Sequence, residues 1–113
     1  MLAGLNKGAG HERVAWNSAL IYDMILTQPV LYEFPLLKVP TTLFIGTSDN
    51  TAIGKDAAPA AVRGQLGRYA VLGRRAAAAI PGAKLIEFPG LGHAPQLQEP
   101  GEFNRELLGV LGK

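Results

Sequence analysis

Two side chains in this sequence have the types and positions that acid–base chemistry requires. Asp49 follows a short apolar run that ends at Gly46, and His93 lies in a glycine-lined loop after a second apolar run. A carboxylate can accept a hydrogen bond from Nδ1–H of a histidine, which fixes the tautomer and stabilises the imidazolium when it forms. Nε2 is then free to take a proton from a nucleophile or from water. Asp49 and His93 are therefore candidates for the acid and the base of an acid–histidine–nucleophile triad.

Two predicted strands bring these side chains to one place. The runs Thr41–Gly46 and Ala83–Phe88 are short, apolar and without helical period, which predicts buried parallel strands. A helix predicted over Tyr69–Ile80 connects them and completes a βαβ unit. In open α/β sheets the chemistry lies at the carboxyl ends of the strands. We therefore expect Asp49 and His93 within hydrogen-bonding reach of each other at one edge of the sheet.

Two further helices are predicted around this unit. A short one is expected over residues 60–66, within a long connection that is otherwise loop. The last helix is expected over Pro100–Leu111, because a proline at the first helical position loses no hydrogen bond. Its apolar residues recur at helical spacing on one face.

Residues 1–38 are predicted to be an N-terminal extension that carries one helix. The first 13 residues are rich in glycine and predict a loop, in which His11 is exposed. The helix is expected over Val14–Gln28, with Asn17 or Ser18 as its cap and Pro29 forcing its end. The following segment, residues 30–37, contains Pro35 and predicts an extended, irregular connector.

The N-terminal helix has apolar residues on nearly all of its faces, which indicates contacts on more than one side. We favour a helix that is buried in a core. The alternative is a cap helix over a substrate pocket, and the substrate-binding residues would then be Trp16, Tyr22 and Met24.

The order of these features resembles the C-terminal portion of the α/β-hydrolase fold family. In that family a strand ending in Gly-x-x-Asp carries the acid, as Gly46-Thr47-Ser48-Asp49 does here, and the catalytic histidine follows a glycine, as in Gly92-His93. Pro100 and Phe103 also stand where the family has a proline and a phenylalanine. Many relatives carry Glu where this chain has Gln98. The resemblance covers most of residues 15–111 and implies an α/β fold of parallel strands with packing helices, in which residues 39–113 form the C-terminal half of a hydrolase core.

The nucleophile of that family is absent from this sequence. The order of the triad along the chain is serine, acid, histidine, and the serine lies in Gly-x-Ser-x-Gly. The serines here are Ser18 and Ser48, and neither has that flanking pattern. Two hypotheses follow. The chain supplies the acid and the histidine of an ester or related acyl hydrolase, or it is a non-catalytic remnant that acts as an oligomeric binding or interaction protein.

The composition argues against several other classes of protein, including nucleic-acid-binding and membrane-spanning ones. The 113-residue sequence has a net charge of +2, too small to indicate binding to nucleic acid or to an anionic membrane, and it has no cysteine. Its first residues lack the apolar stretch of a signal peptide, and no apolar run approaches the roughly 20 residues that span a bilayer. We expect a cytoplasmic protein without a cofactor or metal. Its expected partners are a small-molecule substrate and either a second copy of the chain or a missing N-terminal hydrolase half.

Overall fold

The computed structural model describes residues 7–112. The chain separates into two compact units that divide between Tyr32 and Glu33. The predicted division lay between residues 38 and 39, and its functional meaning stays a prediction. No helix in the described part of the chain is both long enough and apolar enough to cross a membrane.

The first unit is built on one helix, α1, over His11–Thr27. It begins three residues earlier than predicted, at His11 after the N-cap Gly10, so part of the predicted N-terminal loop is helical. Residues 1–6 lie outside the described residues. Asn17 and Ser18 are not caps, because both lie inside α1, where Ser18 Oγ donates to the carbonyl of Val14 at 2.8 Å. Ser and Thr hydroxyls often bond back to the preceding helical turn in this way, so the residue type alone did not mark the start of the helix.

The expectation that α1 is buried in a core is wrong for this chain. The structure describes all of α1, and none of its residues is buried. Its large apolar side chains are exposed, among them Trp16, Leu20, Ile21, Tyr22, Met24, Ile25 and Leu26.

The predicted extended connector is instead a 3₁₀ helix over Val30–Leu36, with Pro35 inside it. The 3₁₀ turn extends one residue beyond Leu36, because Leu37 N–H donates a hydrogen bond to the carbonyl of Phe34 at 3.3 Å. Proline fixes φ near −65°, a value shared by extended polyproline and by 3₁₀ geometry. The prolines therefore excluded a long α-helix but did not distinguish between these two conformations.

The second unit contains the predicted parallel strands. Strand β1 covers Thr42–Gly46 and β2 covers Lys84–Phe88, and they pair in parallel register from Thr42 opposite Lys84 to Gly46 opposite Phe88. Among the described residues this sheet has two strands. The connection between them contains a 3₁₀ turn, a short helix and a longer helix, at Lys55–Ala57, α2 Ala60–Arg63 and α3 Tyr69–Ala79.

Two helices follow β2. The short helix α4, Pro95–Gln98, was not predicted and lies within what we expected to be loop. The last helix, α5, covers Pro100–Val110 and confirms the prediction that Pro100 opens it. Pro95 likewise stands in the first turn of α4, where a proline loses no intrahelical bond.

Aromatic rings and close backbone packing hold the second unit together. Phe44, Phe88 and Phe103 form a ring cluster with centroids 5.2 to 6.1 Å apart, and Phe88 is 1% exposed. α3 lies close to β1, since a Cβ on Gly73 would stand 2.8 Å from Cγ1 of Ile45. These contacts confirm the α/β class, with parallel strands and helices packed on them.

Candidate active site

Two loops that leave the same edge of the sheet form the candidate site. Thr47 N–H at the end of β1 donates to the carbonyl of Phe88 at 3.0 Å, and Ser48 N–H donates to that of Leu91 at 2.9 Å. Gly46 permits this approach, because a Cβ at Gly46 would stand 2.6 Å from the oxygen of Leu91 and would overlap the carbonyl of Gly92. The two loops are therefore held together by backbone hydrogen bonds that involve no side chain of the site.

The structure brings Asp49 and His93 together, as the sequence predicted. Nδ1 of His93 lies 2.8 Å from Oδ2 of Asp49. The two side chains differ in burial, since that of Asp49 is 6% exposed and that of His93 is 68% exposed. The acid is thus enclosed by its surroundings, whereas the imidazole stands at the surface. The prediction of a contact at the sheet edge is confirmed, and the catalytic roles of the two residues remain predictions.

Thr51 is a third member of this cluster that sequence reasoning missed. Its backbone N–H and its hydroxyl both donate to Oδ1 of Asp49, each at 2.9 Å. The hydroxyl oxygen also lies 3.2 Å from Nδ1 of His93. An Asp that bonds the backbone N–H two residues on forms an Asx turn. The spacing Asp49-Asn50-Thr51 was the signal that could have revealed this residue.

Opposing effects act on the pKa of Asp49. Burial raises this pKa, because it disfavours the charged carboxylate. Three hydrogen bonds lower this pKa because they favour the carboxylate, and their donors are the backbone N–H of Thr51, His93 and the hydroxyl of Thr51. The positive charge of a protonated His93 ring also lowers it. Together they outweigh burial and hold the pKa of Asp49 below its ordinary value of 3.8. Asp49 is therefore ionised at neutral pH, so the proton between Asp49 Oδ2 and His93 Nδ1 belongs to the ring nitrogen.

The start of α3 and the glycine two residues before it support the acid loop from a second direction. Tyr69 N–H donates to the backbone carbonyl of Asp49 at 3.3 Å. The ring of Tyr69 meets that of His93 edge-on, with centroids 6.2 Å apart and an interplanar angle of 72°. Gly67 has φ of +70°, and a Cβ there would stand 2.5 Å from the carbonyl of Thr51. A glycine is required here both by the backbone conformation and by the close approach of the acid loop.

The histidine loop has its own hydrogen bonds. Gly92 N–H donates to Oε1 of Gln98 at 2.7 Å, and Gly90 N–H donates to the hydroxyl of Thr47 at 3.1 Å. Gln98 is the position at which the sequence differs from many of the hydrolases that it resembles, which have Glu there. An amide oxygen and a carboxylate can both accept from a backbone N–H, so either residue type could form this hydrogen bond.

The other predicted site residues lie on α1 in the first unit. They are Trp16, Tyr22 and Met24, and their role in substrate binding remains a prediction. Ser18 is in the same helix, and Ser48 is an exposed residue beside the acid. Among residues 7–112 no group of three or more His, Cys, Asp or Glu side chains could hold a metal ion.

A solved structure is similar to most of this chain. No family model and no curated protein sequence matches the chain significantly. A solved structure of a probable hydrolytic enzyme from Pseudomonas aeruginosa is 62% identical to the chain and superposes with a TM-score of 0.87. The match covers 90% of this chain but 33% of that enzyme, so the chain spans a third of its length. The chain therefore has a hydrolase-like fold, consistent with the C-terminal part of a larger fold.

Proposed function

We propose that this chain supplies the acid and the histidine of a serine-type α/β-hydrolase that acts on esters or related acyl compounds. Asp49 is the orienting acid and His93 is the general base. The nucleophilic serine and the oxyanion hole come from the part of the hydrolase domain that this sequence does not contain. A substrate contact by Trp16, Tyr22 or Met24 belongs to the same proposal and rests on their apolar, exposed side chains.

The observation that carries the proposal is the contact of 2.8 Å between Nδ1 of His93 and Oδ2 of Asp49. With the proton on Nδ1, the second ring nitrogen, Nε2, has its lone pair available, and among residues 7–112 Nε2 has no hydrogen-bond partner. A base needs such a free nitrogen to take a proton from the nucleophile. An enclosed carboxylate with an exposed imidazole is the arrangement that leaves Nε2 accessible.

The proposed reaction follows from this geometry. Nε2 of His93 takes the proton of the serine hydroxyl as the oxygen attacks the acyl carbon of the ester. The imidazolium that forms is stabilised by the carboxylate of Asp49, which stays ionised. His93 then returns the proton to the leaving alcohol, and water releases the acyl group by the same sequence of proton transfers.

The partner in this proposal is the remainder of a hydrolase domain. About two thirds of the Pseudomonas enzyme has no counterpart in the match, although the matched third is 62% identical. In the described residues β1 pairs with β2 on one side, so its other edge has backbone groups that a further strand can pair with. A second copy of this chain is the competing partner for that edge.

A reconstitution experiment tests the proposal. The remaining two thirds of the Pseudomonas enzyme would be produced as a separate fragment and mixed with this chain, and hydrolysis of a p-nitrophenyl ester would be followed. We expect turnover in the mixture and loss of turnover with His93→Ala or Asp49→Asn. His11→Ala is the matched control, because His11 is an exposed histidine whose Nδ1 bonds the carbonyl of Gly8 at 2.8 Å. Equal turnover of the H93A and H11A variants would contradict the assigned base.

The alternative function is a non-catalytic one, in which the chain is an oligomeric binding or interaction protein. The observation that favours it is the exposure of large apolar side chains, such as Trp16 at 67% and Leu26 at 71%. Contiguous exposed apolar surface marks interaction sites. An isolated chain that forms a stable oligomer and does not associate with the complementary hydrolase fragment would favour this function over the enzymatic one.

A further inference from the structure

We propose that Thr51 is a positioning residue of the site: its hydroxyl donates to Oδ1 of Asp49, faces Nδ1 of His93, and so holds His93 in the Nδ1–H tautomer. The contacts are 2.9 Å to the carboxylate oxygen and 3.2 Å to the ring nitrogen. The geometric part of this inference concerns the chain alone. Its consequence for catalysis rests on the function proposed above.

The number of protons in the cluster fixes the tautomer. Both oxygens of the ionised Asp49 can only accept hydrogen bonds. Thr51 has one hydroxyl proton and gives it to Oδ1, so the hydroxyl turns a lone pair toward His93. A His93 with its proton on Nε2 would place a third acceptor, the Nδ1 lone pair, against Oδ2 and the hydroxyl oxygen. With the proton on Nδ1, the ring donates to Oδ2 and also faces the hydroxyl oxygen, and every group is satisfied.

His93 depends on these polar contacts because packing restrains it weakly. Its side chain is 68% exposed, and the ring neighbour that the structure provides is the edge of Tyr69 at 6.2 Å. An exposed side chain that is held by few van der Waals contacts adopts the rotamer and tautomer that its hydrogen bonds favour. The hydroxyl of Thr51 touches both partners of the Asp49–His93 pair, so its removal affects the orientation of each.

The chain offers a substitution that isolates the hydroxyl. Thr51→Val preserves the shape of the side chain and keeps the backbone N–H that donates to Oδ1 at 2.9 Å. Thr51→Ser keeps the hydroxyl and removes the methyl group. Thr51 lies at the surface, so neither change disturbs a packed core.

The test is the tautomer of His93, measured by long-range proton–nitrogen correlation NMR on the full chain in alkaline buffer. His11 is the internal reference, and the His11→Gln variant assigns the two imidazole signals, since the sequence has two histidines. We expect Nδ1–H to dominate in the wild-type chain and in T51S. In T51V the ratio of Nδ1–H to Nε2–H should fall roughly tenfold, while the signals of His11 stay unchanged.

The outcomes separate this inference from the proposed function. A T51V ratio equal to that of the wild-type chain, with a ratio that falls in Asp49→Asn, overturns the role of Thr51 and leaves the Asp49–His93 pair intact. An unchanged ratio in both variants contradicts the pair itself. Should T51V not fold, the wild-type chain decides, because the inference requires a Thr51 hydroxyl proton that is protected from exchange and close to the Nδ1 proton. A rapidly exchanging hydroxyl proton would overturn it.

In the reconstituted hydrolase, T51V should lower kcat roughly tenfold with little change in KM, and T51S should restore kcat. This pattern is expected because a wrong tautomer removes the base without removing a substrate contact. A change confined to KM would contradict a positioning role.

Discussion

Replacing Asp49 by Asn should destabilise the second unit in a way that depends on pH. The carboxylate accepts two hydrogen bonds from Thr51 at 2.9 Å and one from His93 at 2.8 Å. An Asn in the same place keeps an oxygen toward Thr51 but turns an NH₂ group toward Nδ1 of His93, so the ring must change tautomer to accept from it. The shape is preserved, and the charge is removed.

The magnitude follows from the contacts. Hydrogen bonds to a charged group contribute about 1.5–3 kcal/mol and neutral ones about 0.5–1.5 kcal/mol, so each bond from Thr51 weakens by about 1 kcal/mol. The bond from His93 adds less, about 0.5 kcal/mol, because the imidazole is largely exposed and water competes for it. Removing a buried charge offsets part of this loss. We therefore expect D49N to lower the free energy of unfolding by about 1–2 kcal/mol at neutral pH.

The pH dependence has a definite sign. The pKa of Asp49 is lowered in the folded chain from its ordinary value of 3.8. A lowered pKa contributes stability that is fully present above the unfolded value and is lost as the pH falls through the folded value. The contribution of the Asp49 carboxylate to the difference between the wild-type chain and D49N should therefore be fully present above pH 3.8 and shrink below it.

Urea unfolding followed by far-ultraviolet circular dichroism, at one fixed protein concentration, measures this difference. Glu87→Gln is the matched control, because Glu87 pairs at 3.0 Å with Arg74, whose side chain is 68% exposed. Such surface pairs contribute about 0–1 kcal/mol. Equal losses in D49N and E87Q, or a D49N loss that is unchanged in acid, would refute this account of how Asp49 is held.

Three further predictions concern the packing and the completeness of the chain. Gly46→Ala should separate the two site loops and lower the unfolding free energy by more than about 2 kcal/mol in urea titrations. Gly101→Ala is the control and should change it by less than about 1 kcal/mol, because an added Cβ there meets no described atom within 4 Å. Similar effects of the two changes would argue against the close approach of Gly46 to the histidine loop. The isolated chain should self-associate through exposed apolar side chains, so that light scattering at micromolar concentration gives a mass above that of a monomer and Leu26→Gln shifts it downward; a strictly monomeric wild-type chain would contradict this. The isolated chain should form no covalent adduct with a fluorophosphonate, because neither Ser18 nor Ser48 has the Gly-x-Ser-x-Gly pattern of an activated serine; a stoichiometric adduct on either serine by mass spectrometry would show that the chain contains its own nucleophile.

The sequence predicted the parts of the fold that depend on local patterns. The two strands are short apolar runs that are ended by a glycine or a proline. The connection between the two runs is long enough to hold a helix, and this favours a parallel pair of strands over other arrangements. Asp49 and His93 could be placed together because each follows the carboxyl end of a predicted strand. Their contact follows from the parallel arrangement and required no knowledge of side-chain packing.

Other features depend on interactions that no local pattern records. The 3₁₀ helix over Val30–Leu36 and the short helix α4 were missed because proline is compatible with several backbone conformations. The exposure of α1 could not be predicted, because apolar residues on all faces of a helix indicate burial but do not identify the surface that would cover them. The contact of Thr51 with His93 joins residues 42 positions apart, so it requires the folded loops.

The central claim is that this chain supplies the general base of a hydrolase. The most direct test is the rate at which a fluorophosphonate labels the complementary hydrolase fragment, the remaining two thirds of the Pseudomonas enzyme, in the presence of this chain. We predict that the wild-type chain causes rapid labelling of a single serine on that fragment. The H93A variant should slow the labelling at least a hundredfold, as expected for loss of a general base, while H11A labels at the wild-type rate. Labelling that is equally fast with H93A, or that occurs without this chain, would contradict the claim that the chain supplies the base.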